Sequence, residues 1–279
     1  MGSAMSRSAA RRLAVRQLSL SAATLAFSVL ADSGTEHYRG SFRNRAMYVS
    51  LGVAALTLGA SLTGMIDSRP PRRWRSAAYA LAGASGVAGL GFHAYNIGKR
   101  PAGWSWLNLF YAAPIGAPLA LTLAGIVGLS AEQVRRARSG LAPRLLGVPA
   151  GKALAAVGVA GLAGTVGEAA LLHFRGAYQN PAMVLPVALP PVAAALLGAS
   201  VRIRRPRIRR LARWWLRLTA ALGFAGVGFH AYGVARSMGG FKNWSQNLLG
   251  GPPLPAPPSF TGIALAGLAA LALLERDPR

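Results

Sequence analysis

The chain contains four histidines, and each lies in a sequence context that occurs twice. His37 opens the segment HYRGSFRNRAM, and His173 opens HFRGAYQNPAM 136 positions later, while His93 and His230 both lie in the sequence GFHAY. Neutral imidazole binds metals and haem iron, and bis-histidine haem binding needs two imidazoles at matching depth on facing helices. We therefore predict that the four histidines ligate haem b or a metal ion such as copper or zinc, or bind a quinone headgroup. The alternative is anchoring at the membrane interface.

Two carboxylates belong to the same repeated pattern. Asp32 and Glu168 each lie five residues before a histidine, His37 and His173 respectively. An acidic group inside a membrane span is costly and is typical of proton transfer or of ion pairing. We predict a catalytic role as proton relays, with ion pairing to an arginine as the alternative. Five residues span about 140° around a helix, so a joint site with the nearby histidine needs another helix between them.

Arginine and tyrosine accompany the histidines at fixed spacing. Arg39 and Arg175 follow His37 and His173 by two residues, and Tyr95 and Tyr232 follow the other two histidines by two residues. A permanent cation here predicts a partner such as a haem propionate, a quinone carbonyl or an anionic substrate, or one of the two carboxylates. The tyrosines are predicted to hydrogen-bond the cofactor, with membership of an interfacial aromatic belt as the alternative.

Glycines precede the second pair of histidines, in the sequences GLGFHAY and GVGFHAY. Small residues allow the backbone to approach either a flat macrocycle or another helix. The sequence leaves both uses open.

The composition indicates a lipid-embedded protein. Of the 279 residues, 53% are hydrophobic and only 14% are charged, which is more apolar than a soluble domain requires. The net charge of +24 could suggest a nucleic-acid partner, but the basic residues form short clusters between apolar runs, as topology signals do. We therefore expect no nucleic acid. The chain has no cysteine, which excludes disulfides and thiolate metal sites.

Eight apolar segments are long enough to cross a bilayer, and they predict an all-α membrane protein with about eight transmembrane helices. The segments are 17–36, 46–66, 77–96, 107–129, 153–172, 182–200, 214–234 and 259–274.

The repeated motifs divide the chain into two four-span units, residues 1–137 and 138–279. Each unit crosses the membrane an even number of times, so the halves are parallel and related by a pseudo-twofold axis along the membrane normal. All four histidines then lie at the same membrane face. The sequence does not decide whether they pair across this axis or within each half.

Lys and Arg are concentrated on the opposite side. The N-terminal tail, the loops after spans two, four and six, and the C-terminal tail contain 22 of the 31 basic residues. By the positive-inside rule both termini are cytoplasmic, and the histidines face the periplasm of a bacterial inner membrane. The loops GWSWLNLFYAAP and FKNWSQNLLGGPP lie on the histidine side and predict a lid or a docking surface.

Phosphate-loop, HExxH and GxSxG motifs are absent from the sequence, so self-contained hydrolytic chemistry is not expected. The sequence predicts a membrane-anchor or electron-transfer subunit of a redox complex, either non-catalytic or quinone-reactive, with a periplasmic dehydrogenase as its partner. Two alternatives are a transporter or permease with a site between parallel halves and a histidine-based metal-handling protein.

Overall fold

The computed structural model describes residues 6–67, 70–112, 114–137 and 141–275. The predicted boundary between the two halves falls between residue 137, which is described, and residue 138, which is not. The ends of both tails also lie outside these ranges. Within them, the fold consists of eight helices of at least 17 residues. They are α1 (Arg7–Arg39), α2 (Met47–Ile66), α3 (Arg73–Gly98), α5 (Gly116–Arg136), α6 (Ala150–Arg175), α7 (Leu185–Arg202), α8 (Pro206–Arg236) and α10 (Pro258–Leu274).

Shorter elements connect these helices. Two short helices, α4 (Trp106–Tyr111) and α9 (Trp244–Asn247), and two 3-10 turns, Pro181–Val184 and Gly240–Asn243, lie in loops. A hairpin of β1 (Arg144–Leu145) and β2 (Val148–Pro149) leads into α6.

Six of the helices are long and apolar enough to cross a membrane, by length and composition: α1, α2, α5, α6, α7 with its preceding 3-10 turn, and α8. The apolar helix α10 is shorter, and α3 is long enough but less apolar. Large apolar side chains such as Val87 and Phe224 are exposed on the outside of the bundle, at 57% and 68%. Because water disfavours such a surface and lipid does not, the protein is an all-α membrane protein.

The predicted fourth span, 107–129, is wrong at both ends. Its first residues belong to the short helix α4, which ends at Tyr111. The long helix α5 begins only at Gly116 and continues to Arg136. Pro114 explains the break, because proline lacks an N–H and cannot continue the hydrogen bonding of a helix.

Helices that follow one another pack side by side and form two four-helix groups. The first bundle consists of α1, α2, α3 and α5, and both α1 and α3 pack on α2 and α5. The second bundle consists of α6, α7, α8 and α10, and both α6 and α8 pack on α7 and α10. The two bundles meet where α1 packs on α10 and α5 packs on α6. Since consecutive helices alternate in direction, α1, α3, α6 and α8 all end at the same side, which we name the histidine face. The opposite side, with the loops that follow α2, α5 and α7, is named the arginine-rich face.

Glycine allows close packing within each bundle. A Cβ built at Gly86 of α3 would lie 2.6 Å from the carbonyl oxygen of Pro118, and one at Gly223 of α8 would lie 2.9 Å from that of Pro257. Real side chains do not approach backbone oxygens so closely. Helices α3 and α8 therefore reach their neighbours only because these two positions lack a side chain.

Candidate functional site

His37 and His173 end their helices in the same strained turn. Each is followed by two non-glycine residues with positive φ, at 58° and 44° for Ser41 and Phe42 and at 54° and 46° for Ala177 and Tyr178. Such conformations cost free energy and persist only where the surroundings enforce them. The turn reverses the chain so that the next helix begins beside the imidazole ring.

The imidazoles of these two histidines are fixed by the chain that starts the next helix. His37 Nδ1 lies 3.0 Å from the carbonyl oxygen of Met47, and His173 Nδ1 lies 2.7 Å from that of Met183. Ser50 Oγ is also near His37 Nδ1, at 3.5 Å. Both rings are half-buried at the histidine face.

His93 and His230 are held by the loops that precede α5 and α10. The Nδ1 atoms lie 2.7 Å from the carbonyl oxygens of Pro114 and Pro253, respectively. Both rings are half-buried. The prolines that interrupt the helical pattern thus supply the carbonyl groups that orient these rings.

All four hydrogen bonds impose the same protonation pattern. A carbonyl oxygen only accepts, so Nδ1 must carry the proton and donate it. In a neutral imidazole the other nitrogen, Nε2, then has a free lone pair. Metal-binding and haem-binding histidines are commonly oriented by this hydrogen bond to a backbone carbonyl.

The two histidines of each bundle lie within electrostatic range of each other. His37 and His93 are close enough to interact electrostatically, and so are His173 and His230. We name these pairs the first dyad and the second dyad. This proximity favours pairing within a half over pairing across the axis.

Asp32 and Glu168 lie between the two bundles, on α1 and α6. The two carboxylates are close enough to interact electrostatically. The Glu168 carboxylate packs against the first residue of α5, since a Cβ built at Gly116 would lie 2.5 Å from Glu168 Oε2. Five residues correspond to about 7.5 Å along a helix, so both carboxylates are deeper than the histidines that follow them.

Arg39 and Arg175 reach across to the opposite bundle. Arg39 forms an ion pair with Glu36 on its own helix and donates to the carbonyl oxygen of Leu249, 3.3 Å away. Arg175 lies over the rings of Phe110 and Tyr111, with 5.8 and 5.4 Å between the guanidinium carbon and the ring centroids. Both side chains are exposed at the histidine face.

Tyr95 and Tyr232 are exposed, at 62% and 58%. A cation one turn later covers each ring, Lys99 at 5.1 Å and Arg236 at 5.5 Å from the ring centroid. This arrangement suits the alternative use as belt residues at the end of the helix.

Gly89 and Gly226 are used for helix packing, whereas a Cβ at Gly91 or Gly228, two residues before the histidines, would meet nothing within 4 Å. A Cβ at Gly89 would lie 3.2 Å from Pro118 Cβ, and one at Gly226 would lie 2.7 Å from Pro257 Cβ. At Gly89 and Gly226, the close approach that the sequence allowed is therefore made to the starts of α5 and α10.

Two loops of the histidine face are folded in the same way. The Asn108 side-chain amide donates to the carbonyl oxygens of Pro101 and Gly103, and that of Asn247 donates to those of Met238 and Gly240. Several large side chains of these loops are exposed: Trp104, Trp106, Met238, Phe241 and Trp244.

A buried ion cluster at the arginine-rich face was missed by the sequence analysis. Arg75 and Glu132, both 1% exposed, are joined by two hydrogen bonds of 3.1 and 3.2 Å. Asp67 accepts from Arg75 at 3.0 Å, and Arg135 lies 3.4 Å from Glu132. The available signal was the position of Asp67 and Glu132, two of only seven acidic residues, at span ends otherwise rich in arginine.

Within the described ranges, no group of three or more His, Asp or Glu side chains is arranged to hold a metal ion. Each dyad contributes two imidazoles. Comparison with known proteins gives no match to a family model, to a curated protein or to a solved structure.

Proposed function

We propose that the protein is an integral membrane subunit for electron transfer that binds haem b at each dyad, near the histidine face. The observation that carries this proposal is the repeated hydrogen bond from imidazole Nδ1 to a backbone carbonyl. It leaves two Nε2 lone pairs in each dyad, the donor set of a bis-histidine haem. Bound haem supplies one-electron exchange.

The same geometry favours haem over a quinone as the ligand of the dyads. A quinone carbonyl oxygen only accepts hydrogen bonds, and an Nε2 without a proton has none to donate. A haem iron needs the free lone pair. Arg39 and Arg175 are exposed cations at the same face and would hold the propionates through charge-assisted hydrogen bonds.

The proposal includes eight membrane spans arranged as a tandem duplication, with α3 and α10 crossing as well. Its support is the series of equivalent contacts in the two bundles. The hydrogen bonds of the histidines, the strained turns and the asparagine-anchored loops recur at matching positions. Parallel halves of this kind place both dyads at the same depth.

The proposed setting is a bacterial inner membrane, with both termini in the cytoplasm and the histidine face in the periplasm. The support is the excess of Lys and Arg at the arginine-rich face. The exposed tryptophans of the two asparagine-anchored loops would then contact a periplasmic dehydrogenase that exchanges electrons with the haems.

The test is the visible spectrum of the purified full-length protein, expressed with sufficient haem and recorded before and after dithionite. We expect a Soret band and an α band that sharpens on reduction. Substituting His93→Ala or His230→Ala is expected to remove part of both bands, whereas Tyr95→Phe, a matched change at the same face, leaves them intact. A colourless wild-type protein, or bands unchanged in every histidine variant, would contradict the proposal.

One observation favours a second candidate, a transporter with its site between the bundles. Asp32 and Glu168 interact where the two bundles meet, which is where a parallel-repeat permease binds its substrate. If the purified protein contains no haem, uptake of a substrate into proteoliposomes that is lost in Asp32→Asn and in Glu168→Gln would support this candidate. Metal analysis of the same preparation separates it from a metal-handling protein.

A further inference from the structure

The connection between α7 and α8, at the arginine-rich face, is the most basic segment of the chain. Eight arginines lie between positions 202 and 217, and no Asp or Glu occurs between Glu168 and Glu275. We name residues 202–210 the arginine corner. Five of its arginines are exposed: Arg202, Arg204, Arg205, Arg207 and Arg210.

One of the eight arginines has a carboxylate partner in the part of the chain that the structure describes. Arg213 forms an ion pair with Glu275, the C-cap residue of α10. By contrast, Arg209 Nε is buried and has no hydrogen-bond partner among the described residues. A guanidinium is always charged, and a buried donor that stays unpaired costs stability. The arginine corner therefore lacks an acceptor at Arg209.

The first bundle supplies an acceptor at the matching position. Ile203 follows Asp67 by 136 positions, the offset of the first pair of matching histidines, and Arg209 follows Arg72 by 137, the offset of the second pair. Asp67 and Ile203 are both the C-cap residue of the helix before the turn. Arg72 Nε donates to Asp67 Oδ2 at 3.3 Å. In the second bundle the carboxylate is replaced by the apolar side chain of Ile203.

Exposed apolar side chains indicate that the arginine corner lies at the level of lipid headgroups. Trp214 follows Arg210 by one helical turn and is 67% exposed, and an exposed tryptophan near the end of a span is typical of the membrane interface. Leu211 and Ile203 are also exposed. A soluble acidic protein would leave these apolar side chains in water, whereas a lipid covers them.

An open cavity of about 490 Å³ lies at the end of α7. Among the described residues it is lined by Gly198, Ala199, Arg202 and Ile203. Its wall combines small and apolar residues with a cation. This combination suits a molecule that has both an apolar chain and an anionic group.

We propose that the arginine corner binds the headgroup of an anionic phospholipid from the leaflet at the arginine-rich face. A phosphate oxygen accepts from Arg209 Nε, in place of the carboxylate that Asp67 provides in the first bundle. Arg202 attracts the same headgroup from the end of α7. Phosphate accepts several charge-assisted hydrogen bonds at once, and clusters of arginine beside a span attract anionic lipids. This inference does not depend on what the histidine dyads bind.

The test is native mass spectrometry of the purified full-length protein in detergent, titrated with phosphatidylglycerol or with phosphatidylcholine of the same acyl chains. We expect tighter binding of phosphatidylglycerol, because the arginine corner repels the choline ammonium. Arg209→Gln should weaken that binding about tenfold, through the loss of one charge-assisted hydrogen bond.

The matched control is Arg72→Gln, which removes the same charge at the matching position of the first bundle and should leave the affinity unchanged. Equal affinity of the wild type for the two lipids, or an equal loss in Arg209→Gln and Arg72→Gln, overturns the proposal.

The variant Ile203→Asp tests the same contact by giving Arg209 an internal carboxylate, as in the first bundle. We expect it to weaken binding of phosphatidylglycerol about tenfold, whereas Ile203→Asn, which is equal in size and uncharged, has little effect. Equal effects of the two substitutions contradict the role of Arg209. If Ile203→Asp does not fold, Arg209→Gln carries the test by itself.

Glycerol 3-phosphate distinguishes a lipid from a soluble phosphate, because it has a phosphate group and no acyl chain. We expect it not to displace phosphatidylglycerol at equal concentration. Displacement would assign the arginine corner to a soluble phosphate compound and overturn the lipid site.

Discussion

His230 Nδ1 lies 2.7 Å from the carbonyl oxygen of Pro253, and this contact fixes both the ring orientation and the tautomer of the histidine. The same relationship recurs at His93 and Pro114, again at 2.7 Å. In both cases the proline comes from the loop that precedes the last long helix of its bundle. Proline therefore breaks the helix and places an acceptor beside the imidazole at the same time.

The dyads predict a non-additive effect of histidine substitutions on haem content. Because His37 and His93 would hold the same haem, the double variant H37A/H93A should lose no more haem than either single variant. H93A/H230A should lose haem from both dyads, since these residues belong to different bundles. The pyridine haemochrome assay measures the haem content per chain, and additive losses for H37A/H93A would exclude pairing within a half.

Close packing at Gly86 predicts that Gly86→Ala lowers stability. The new Cβ would lie 2.2 Å from Thr122 Oγ1 and 2.6 Å from the carbonyl oxygen of Pro118, so α3 and α5 must separate. Overpacking of this kind costs about 1–3 kcal/mol. The apparent Tm in detergent measures the effect. Gly91→Ala is the matched control on the same helix, because a Cβ at Gly91 meets nothing within 4 Å, and an equal loss in both variants would contradict the explanation.

The helical membrane architecture could be predicted from apolar segment lengths, because a bilayer of fixed thickness requires spans of similar length. The fourth span could not be placed correctly, since its apolar run continues through Pro114 and hydropathy does not register the missing N–H. The contacts of the histidines with Met47 and Met183 depend on a turn with positive φ at non-glycine residues. Local sequence does not predict such a turn, because tertiary contacts enforce it.

The pairing of the histidines and the buried ion cluster also required the structure. The repeated motifs give His37 and His173 matching positions in the sequence, but this match does not tell which histidines lie next to each other. Similarly, Arg75 looks like one of many topology-determining arginines. Only its contact with Glu132, 57 positions away, distinguishes it.

The strained turn after α6 predicts a stabilising substitution, Ala177→Gly. Ala177 has a φ of 54° and is exposed, so its methyl group strains the backbone without packing in the core. Removing the Cβ from a left-handed residue is expected to stabilise the fold by about 1 kcal/mol. The measurement is the apparent Tm in detergent. Ala170→Gly, within the helical part of α6, should instead lower it, and a fall in both variants would show that strain at Ala177 is not released.

The buried pair Arg75 and Glu132 predicts a rescue by double substitution. Glu132→Leu alone leaves the buried guanidinium of Arg75 with Asp67 as its remaining carboxylate partner, and removing one member of a buried ion pair costs up to about 3–5 kcal/mol. Adding Arg75→Ala removes this buried charge and gives the residues that the repeat places at the matching positions, the buried Ala212 and Leu271, so part of the lost stability should return. Thermal unfolding of the two single variants and the double variant measures this coupling. A double variant as unstable as the sum of the single variants would mean that Arg75 and Glu132 stabilise the first bundle independently of each other.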